Sequence, residues 1–422
     1  MIQEHQPQAT TSAGWVHDIR KTGSVQFIIL RTMEGLRQLT ITDDCSKEVK
    51  AHLQGLTKES AIVATGRLQP AAKAPGGTEL LVQTLSIVGP AEKILPFVPR
   101  DSATVPLPKR LDFRSLDLRS PDHQLMIRVQ SAIVQGIHVH LAKEGFKHVF
   151  TPCLMGVPSE SGSAVFPVIY FDKEVFLRQD PQLHRQLTIA SGVDKIYEMG
   201  PAWRAEQSHT TKHLCEHRVC AVEVAFIKDE YDVMRVEEGI IRAAVEAAAL
   251  IPGVIPPSLG KDPFPIFTLD EVRDIVAKKG HVYDPLEDLD KETERVLWEY
   301  VRDTLHRDFY MVTGFASRIK PFYVMEDAKD PRHARSFDVY CKGMELSSGG
   351  QREHRHDHLL KRITSAGMSH ESLEWFTRHF RFGVPPHGGF AIGIERLTQM
   401  IVGAENIRDC VLFPRDPERV VP

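Results

Sequence analysis

The strongest constraint on this chain lies in residues 12–88, where five short strand-like runs are interrupted once by a polar helical piece. "GWVHDIR", "SVQFIILR" and "LRQLTITD" come first, "CSKEVKAHLQG" has helical character, and "SAIVATGRL" and "ELLVQTLSIV" follow. Three strands, a helix and two strands is the order of an OB barrel, a frequent binder of single-stranded nucleic acid. A small β-barrel used only for packing has the same pattern.

At 422 residues the chain exceeds what one hydrophobic core usually organises, so two domains are expected. The Pro- and Arg-containing stretch "KILPFVPRDSATVPLPKRLDFRSLDLRSP" keeps no period and reads as a linker. The expected division is a barrel at 1–92, a linker at 93–121 and a larger domain at 122–422. In that domain Met126, Val129, Ile133, Ile137 and Leu141 share one helical face, which Gly145 ends. "FKHVFTP" reads as a strand stopped by Pro152, and "EVFLRQ", "KIYEMGPAWRAE" and "RVCAVEVAFI" extend a mostly antiparallel sheet. Two helical runs follow, "YDVMRVEEGIIRAAVEAAAL" and "LDKETERVLWEYVRDTLH", and then strand-like "FYMVTGF", "PFYVME" and "ARSFDVYCKGMELSSGG". The fold class is therefore α+β, with an N-terminal β-barrel ahead of an antiparallel sheet flanked by helices.

Charge and composition narrow the function classes. A net charge of −4 gives no global positive field, so any RNA contact must come from local basic patches. The opening "MIQEHQPQATTSAG" lacks a basic-then-apolar signal pattern and no run of eighteen apolar residues occurs, so a cytoplasmic protein without membrane partners is expected. Six cysteines form no CxxC pair; Cys215 and Cys220 alone are a weak zinc signal, and all six read as reduced thiols in packing roles.

Four clusters carry chemistry-bearing side chains. "WRAEQSHTTKHLCEH" sets Arg204 and Glu206 on alternate strand positions ahead of Lys212, His213 and His217; a guanidinium beside a carboxylate suits a nucleotide, and equally a surface ion pair. "MELSSGGQREH" offers Glu345 and Ser348 as hard oxygen ligands and Arg352 as a planar anion clamp, or else a polar turn. "GGFAIGIERL" puts Arg396 in the first turn of a helix, where a cation opposes the dipole, so a phosphate partner explains it better than helix stability. "FLRQDPQLHRQL" holds Gln179, Asp180, Gln182 and Arg185, with Glu160 upstream in "SESGS".

These segments, in this order, resemble a class II aminoacyl-tRNA synthetase, of the archaeal-type aspartyl family. The helix and strand ending at Pro152 are similar to motif 1, "WRAE" to motif 2 and "GIERL" to motif 3, while "ELSSGGQREH" and the ending "PPHGGFAIGIERLTQMIVGAENIRDCVLFPRDPERVVP" resemble the aspartate branch. The interval between motifs 2 and 3 is too short for the extra domain of bacterial-type enzymes.

The resemblance implies an OB-fold anticodon-binding domain, a class II catalytic domain, ATP as substrate, magnesium, a homodimer and tRNA(Asp), with tRNA(Asn) left open. It implies ATP contacts for Arg204, Glu206, His213, His217, Glu345, Gly393 and Arg396, the two arginines being catalytic. His217 stands where the family has a phenylalanine that stacks on the base. Magnesium falls to Glu345 and Ser348. The amino acid falls to Glu160, Gln179, Asp180, Gln182, Arg185, Ser348, Arg352 and His387, with Arg352 clamping the side-chain carboxylate. Phe27 and Gln38 match positions that contact anticodon bases; spacing alone would make Phe27 a barrel-core residue.

Departures cluster on the amino-acid side. Where the family reads QSPQLYK or close to it, this chain has "QDPQLHR"; the aspartate that meets the substrate ammonium is Ala221 in "CAVEV", and EGG has become "ESG". One anion is lost at Ala221 and one gained at Asp180, so Asp180 is expected to take over the ammonium contact, the alternative being that the grip is lost. Arg185 keeps the sign of the lysine that it replaces, with a broader fork. The expected activity is aspartate–tRNA ligation through an aspartyl-adenylate. The rivals are a paralogue that adenylates aspartate or a related acid for another acceptor, and a non-catalytic RNA-binding homologue.

Overall fold

In the computed structural model, which describes residues 9–157, 165–207 and 210–422, the chain divides into two compact units, Met1–Val98 and Pro99–Pro422. The first unit is a closed five-stranded barrel of Thr10–Thr22, Val25–Thr32, Gly35–Ile41, Ala61–Pro70 and Thr78–Gly89, closed by pairing of its first and fourth strands. The helix Lys47–Gln54 follows the third strand, as the sequence order requires; Ser46 caps it by accepting from the Val49 N–H. Alternation points Val16, Ile28, Leu30, Leu39, Ile62 and Leu80 inward. Phe27 lies outside that core and is only half-buried, so the core assignment suggested by spacing does not hold.

The second unit is built on an eight-stranded sheet. Its spatial order is Ile266–Thr268, Phe309–Thr313, Ser336–Cys341, Met344–Gln351, His387–Gly393, Glu216–Ala225, Lys195–Trp203 and Lys147–His148. All pairings are antiparallel except those of the two outermost strands. The helix Pro121–Lys143 buries Met126, Val129, Ile133, Ile137 and Leu141, the face expected from their spacing. It packs with the helix Glu230–Ala249 over the sheet, and each enclosed aliphatic side chain adds roughly 1.5–3 kcal/mol. Ser120 and Asp229 cap the two helices. A smaller sheet of Leu154–Met155, Lys173–Leu177 and Pro167–Tyr170 adjoins the helix Gln182–Ala190 in the chain.

Three expectations change. Residues 99–117, expected within a linker at 93–121, belong to the second unit as the short helices Pro99–Thr104, Leu107–Asp112 and Arg114–Asp117. Helices this short show no period and depend on tertiary anchoring. Arg114, 1% exposed, supplies it by donating to the carbonyls of Leu412 and Arg408 at 2.9 and 3.0 Å. "PFYVME" is no strand: it makes only isolated bridges at Val324 and Glu326, its aromatic content serving burial instead of a ladder. The strand expected in "FKHVFTP" is confined to Lys147–His148.

Candidate active site

A cleft of about 440 Å³ lies on the second unit's sheet, and Gln179, Asp180, Gln182, Arg204, Arg352 and Arg396 are among the residues lining it. Two of its walls come from a hairpin. Lys342 and Gly343 both adopt positive φ, 50° and 77°, the two-residue turn that matches strand twist. The turn puts Tyr340 opposite Glu345, and an irregularity between Val339 and Tyr340 then shifts the register by one residue, so that Asp338 stands opposite Ser348.

At one end stand the groups expected to hold a nucleotide. The Arg204 N–H donates to the Cys215 carbonyl at 3.0 Å, continuing the pairing of Lys195–Trp203 with Glu216–Ala225 and leaving Arg204 and Glu206 on the cleft wall. His213 and His217 line the same wall. Burial, with Arg204 and Arg396 adding to it, pushes His217 down to about 4, so its ring is neutral and free to stack. His213 is lowered too, chiefly by burial and then by Arg396. Gly393 opens the helix Ile394–Val402 without a side-chain cap, and Arg396 in its first turn donates to the Glu345 carbonyl at 2.9 Å.

Midway, Asp338 and Ser348 face one another and the Lys320 ammonium sits between them, 3.0 and 3.1 Å from the two carboxylate oxygens and 3.4 Å from Oγ of Ser348. Burial raises the Asp338 carboxyl, with Lys320 opposing and Glu345 adding to the rise. The Asp338 carboxylate and the Ser348 hydroxyl are hard oxygen donors with the Lys320 ammonium against them, and the Glu345 carboxylate lines the same cleft. Among the described residues no cluster of three His, Cys, Asp or Glu side chains could hold a metal. Hard oxygen donors of this kind suit magnesium, which usually keeps waters and phosphate oxygens in its shell. Asp338 and Lys320 were missed in the sequence: counting back from the Lys342–Gly343 turn puts Asp338 across from Ser347, and only the one-residue register shift between Val339 and Tyr340 brings it opposite Ser348.

At the other end two buried guanidiniums share one glutamine. Arg352 Nε donates to Glu223 Oε1 at 2.8 Å and its Nη2 to Gln182 Oε1 at 3.0 Å. Gln182 Nε2 donates back to Glu223 Oε2 at 2.9 Å. Arg185 donates through Nη1 and Nη2 to the two oxygens of Asp180 at 2.6 and 2.7 Å, and through Nη2 to Gln182 Oε1 at 2.7 Å. Burial pushes the Asp180 carboxyl up, but Arg185 outweighs it and holds the group below the usual carboxylate range.

Most of the expected residues thus meet in one cleft, and two do not. Arg185 and His387 are not among the described residues that line it. Arg185 is enclosed behind Asp180, against the expectation that it would contact the amino acid, because a carboxylate five residues away was within reach of its fork. His387, fully buried, bonds Pro385 O through Nδ1 at 2.9 Å and Gln186 Nε2 through Nε2 at 3.0 Å. Burial pushes it down to about 4, so it is a neutral packing residue behind the cleft. Glu160 lies outside the described residues. Ala221, 1% exposed, presents only a methyl group.

In the first unit Phe27 and Gln38 share a shallow concavity with Arg20, Lys73 and Glu79. Glu79 fixes the Gln38 amide, accepting from Nε2 at 2.9 Å. An aromatic face beside an oriented amide and two cations can stack and hydrogen-bond an unpaired base.

Comparison with known proteins agrees with this geometry. The family described as "tRNA synthetases class II (D, K and N)" matches residues 107–417, and the "OB-fold nucleic acid binding domain" family matches residues 11–88. The chain is 36% identical to an aspartate–tRNA(Asp) ligase of Pyrococcus horikoshii, over 97% of this chain and 95% of the relative. It is 37% identical to an aspartate–tRNA(Asp/Asn) ligase of Archaeoglobus fulgidus, over 99% and 98%. Among solved structures, asparaginyl-tRNA synthetase from Pyrococcus horikoshii complexed with asparaginyl-adenylate superposes with a TM-score of 0.91 at 30% identity, covering 99% of this chain and 96% of that one.

Proposed function

The chain belongs to the class II tRNA synthetases of the D, K and N group, and on that premise we propose that it joins L-aspartate to the 3′ end of tRNA(Asp) through an aspartyl-adenylate. One observation carries the reading: a single cleft holds Arg204 and Arg396 at one end and Arg352 with Gln179 and Gln182 at the other. A nucleotide's phosphates and an acid's side chain are thereby accommodated within one cavity. In the first step an α-carboxylate oxygen bonds the α-phosphorus of ATP and the bond to pyrophosphate breaks. Arg204 meets charge on the α-phosphate and Arg396 charge on the γ-phosphate, while neutral His217 stacks on adenine and Glu206 contacts its edge. Rate enhancement then comes from positioning and electrostatics, with no protein nucleophile.

Glu345, Ser348 and Asp338 would hold magnesium, which neutralises phosphate charge when bound. Lys320, now between Asp338 and Ser348, must yield or share that place. Arg352 gives its guanidinium to the substrate's side-chain carboxylate, a charge-assisted contact that neutral asparagine cannot match. Phe27 and Gln38 contact the anticodon. A homodimer is proposed from the exposed Val139 and Phe150 beside the short edge strand Lys147–His148. No described helix is long and apolar enough to cross a membrane, and a cytoplasmic location follows from the proposed reaction.

The test is ATP–pyrophosphate exchange with L-aspartate and each other standard amino acid, followed by charging of tRNA(Asp) and tRNA(Asn) transcripts. Exchange with aspartate and charging of tRNA(Asp) support the reading, and charging of tRNA(Asn) widens it. The filled fork of Arg185 favours a second reading, adenylation of aspartate or a related acid for an acceptor other than tRNA; exchange without charging would select it. Absence of exchange with every acid would leave only an RNA-binding homologue.

A further inference from the structure

The helix that carries Arg396 leads into a strap that grips another wall of the cleft's nucleotide end. Ile394–Val402 stops at Gly403, whose φ of 71° turns the chain, and the short turn Ile407–Cys410 follows. Ile407 lines the cleft, and its N–H donates to the Thr211 carbonyl at 2.9 Å. Arg408, 6% exposed, donates through Nη1 to the Thr210 carbonyl at 3.1 Å and through Nε to Asp416 Oδ2 at 3.0 Å. Farther along, the Arg415 carbonyl accepts from the Cys215 N–H at 2.9 Å. Both ends of residues 210–215 are therefore tied to the strap of residues 407–416. Thr210 passes the tie inward: its hydroxyl bonds His213 Nδ1 at 2.5 Å and accepts from the Lys212 N–H at 3.3 Å, and Lys212 and His213 both line the cleft. From behind, Arg114 donates to the carbonyls of Arg408, Val411 and Leu412, and Arg110 donates to Asp409 at 2.8 Å, so the strap has a fixed backing.

We propose that Arg408 is a positioning residue for the nucleotide: by bridging the Thr210 carbonyl and Asp416, it sets the distance between the helix bearing Arg396 and the wall bearing Lys212 and His213. The inference rests on ATP occupying that end of the cleft, as proposed above. A guanidinium suits the task because its planar fork holds a carbonyl and a carboxylate at once. Enclosure strengthens both bonds, and the paired carboxylate offsets the cost of burying the cation. The acid end, where Gln182, Glu223 and Arg352 bond one another, shares none of these partners. Loss of Arg408 therefore acts on ATP and leaves the acid alone. An arginine that only tied down the chain end would instead lower the melting temperature and the active fraction, with both KM values unmoved.

The test on the full chain pairs ATP–pyrophosphate exchange with amide hydrogen exchange and thermal melting. Arg408→Gln should raise the ATP KM by about tenfold or more, the value of one charge-assisted hydrogen bond, and leave the L-aspartate KM within about twofold. Arg408→Lys should recover part of the rise. Asp416→Asn, which keeps the arginine and weakens its aim, should raise the ATP KM by a smaller factor. In Arg408→Gln the amides of Ile407 and Cys215 should exchange faster, while that of Val222 in the middle of the sheet keeps its wild-type rate. An unmoved ATP KM in folded Arg408→Gln, or equal increases in both KM values, would overturn the proposal. So would unprotected Ile407 and Cys215 amides in the nucleotide-free wild type, a measurement that needs no variant to fold. Calorimetric titration with ATP separates this inference from the functional reading. Wild-type protein that binds ATP but supports exchange with no acid overturns that reading, whereas equal ATP affinity in the wild type and Arg408→Gln overturns only the role of Arg408.

Discussion

Arg352 donates to Glu223 at 2.8 Å although 129 residues separate them, and both side chains are enclosed. Burying a cation is costly unless a carboxylate with good geometry meets it, so Glu223 is what lets Arg352 stand charged beside the cleft. Space for Glu223 comes from Gly389 on the neighbouring strand. A Cβ at that position would lie 2.0 Å from the Val222 carbonyl and 2.4 Å from Glu223 Oε2.

Gly389→Ala should therefore move Glu223 and, through it, Arg352. The expected cost is about 1–3 kcal/mol of stability, with a higher L-aspartate KM and an unmoved ATP KM. Urea unfolding and paired KM measurements check it. A folded variant with the wild-type aspartate KM would show that Glu223 does not order Arg352 for substrate.

Glu237, fully buried, accepts a hydrogen bond from the Ser347 hydroxyl, and burial pushes its carboxyl up to about 8. A folded-state value above the unfolded one means that the contribution to stability is complete below about pH 4.5 and is lost as pH rises through about 8. Glu237→Gln removes this titration. Its melting temperature should fall less than that of the wild type between pH 6 and pH 9, by the equivalent of roughly 2–3 kcal/mol at the upper end. Parallel pH profiles for the two proteins would refute the assignment.

Asp338→Asn should raise the magnesium concentration for half-maximal exchange by about tenfold or more. Metal titration of exchange at fixed ATP reads this directly, and chelation should abolish exchange in both proteins. A wild-type magnesium requirement in the variant would remove Asp338 from the proposed ligand set.

Phe27→Ala should weaken tRNA without touching activation. One lost stacking contact is worth about 1–3 kcal/mol, so the tRNA KM should rise while pyrophosphate exchange stays at the wild-type rate. Equal charging kinetics at several salt concentrations would remove Phe27 from the proposed tRNA contact.

Legibility differed from element to element. The helix Pro121–Lys143 was readable because five apolar residues recur at its period, and the barrel because its strands alternate and a polar helical piece interrupts them once. Residues 99–117 were not readable, since helices of four to six residues show no period and take their stability from partners near the other end of the chain, such as Arg114 with Leu412. "PFYVME" misled because aromatic and β-branched content marks burial as well as strand.

The site divides in the same way. Residue types and order by themselves determined the barrel, the sheet-bearing domain and most of the arginines, carboxylates and glutamines that line the cleft, Asp338 excepted. Tertiary structure alone decided which cation faces the cleft. Arg185 has Asp180 within reach and Arg352 has Glu223, and the choice between a protein carboxylate and a substrate depends on which groups are shut away from water together. That desolvation is a property of the packed interior, and no linear spacing encodes it.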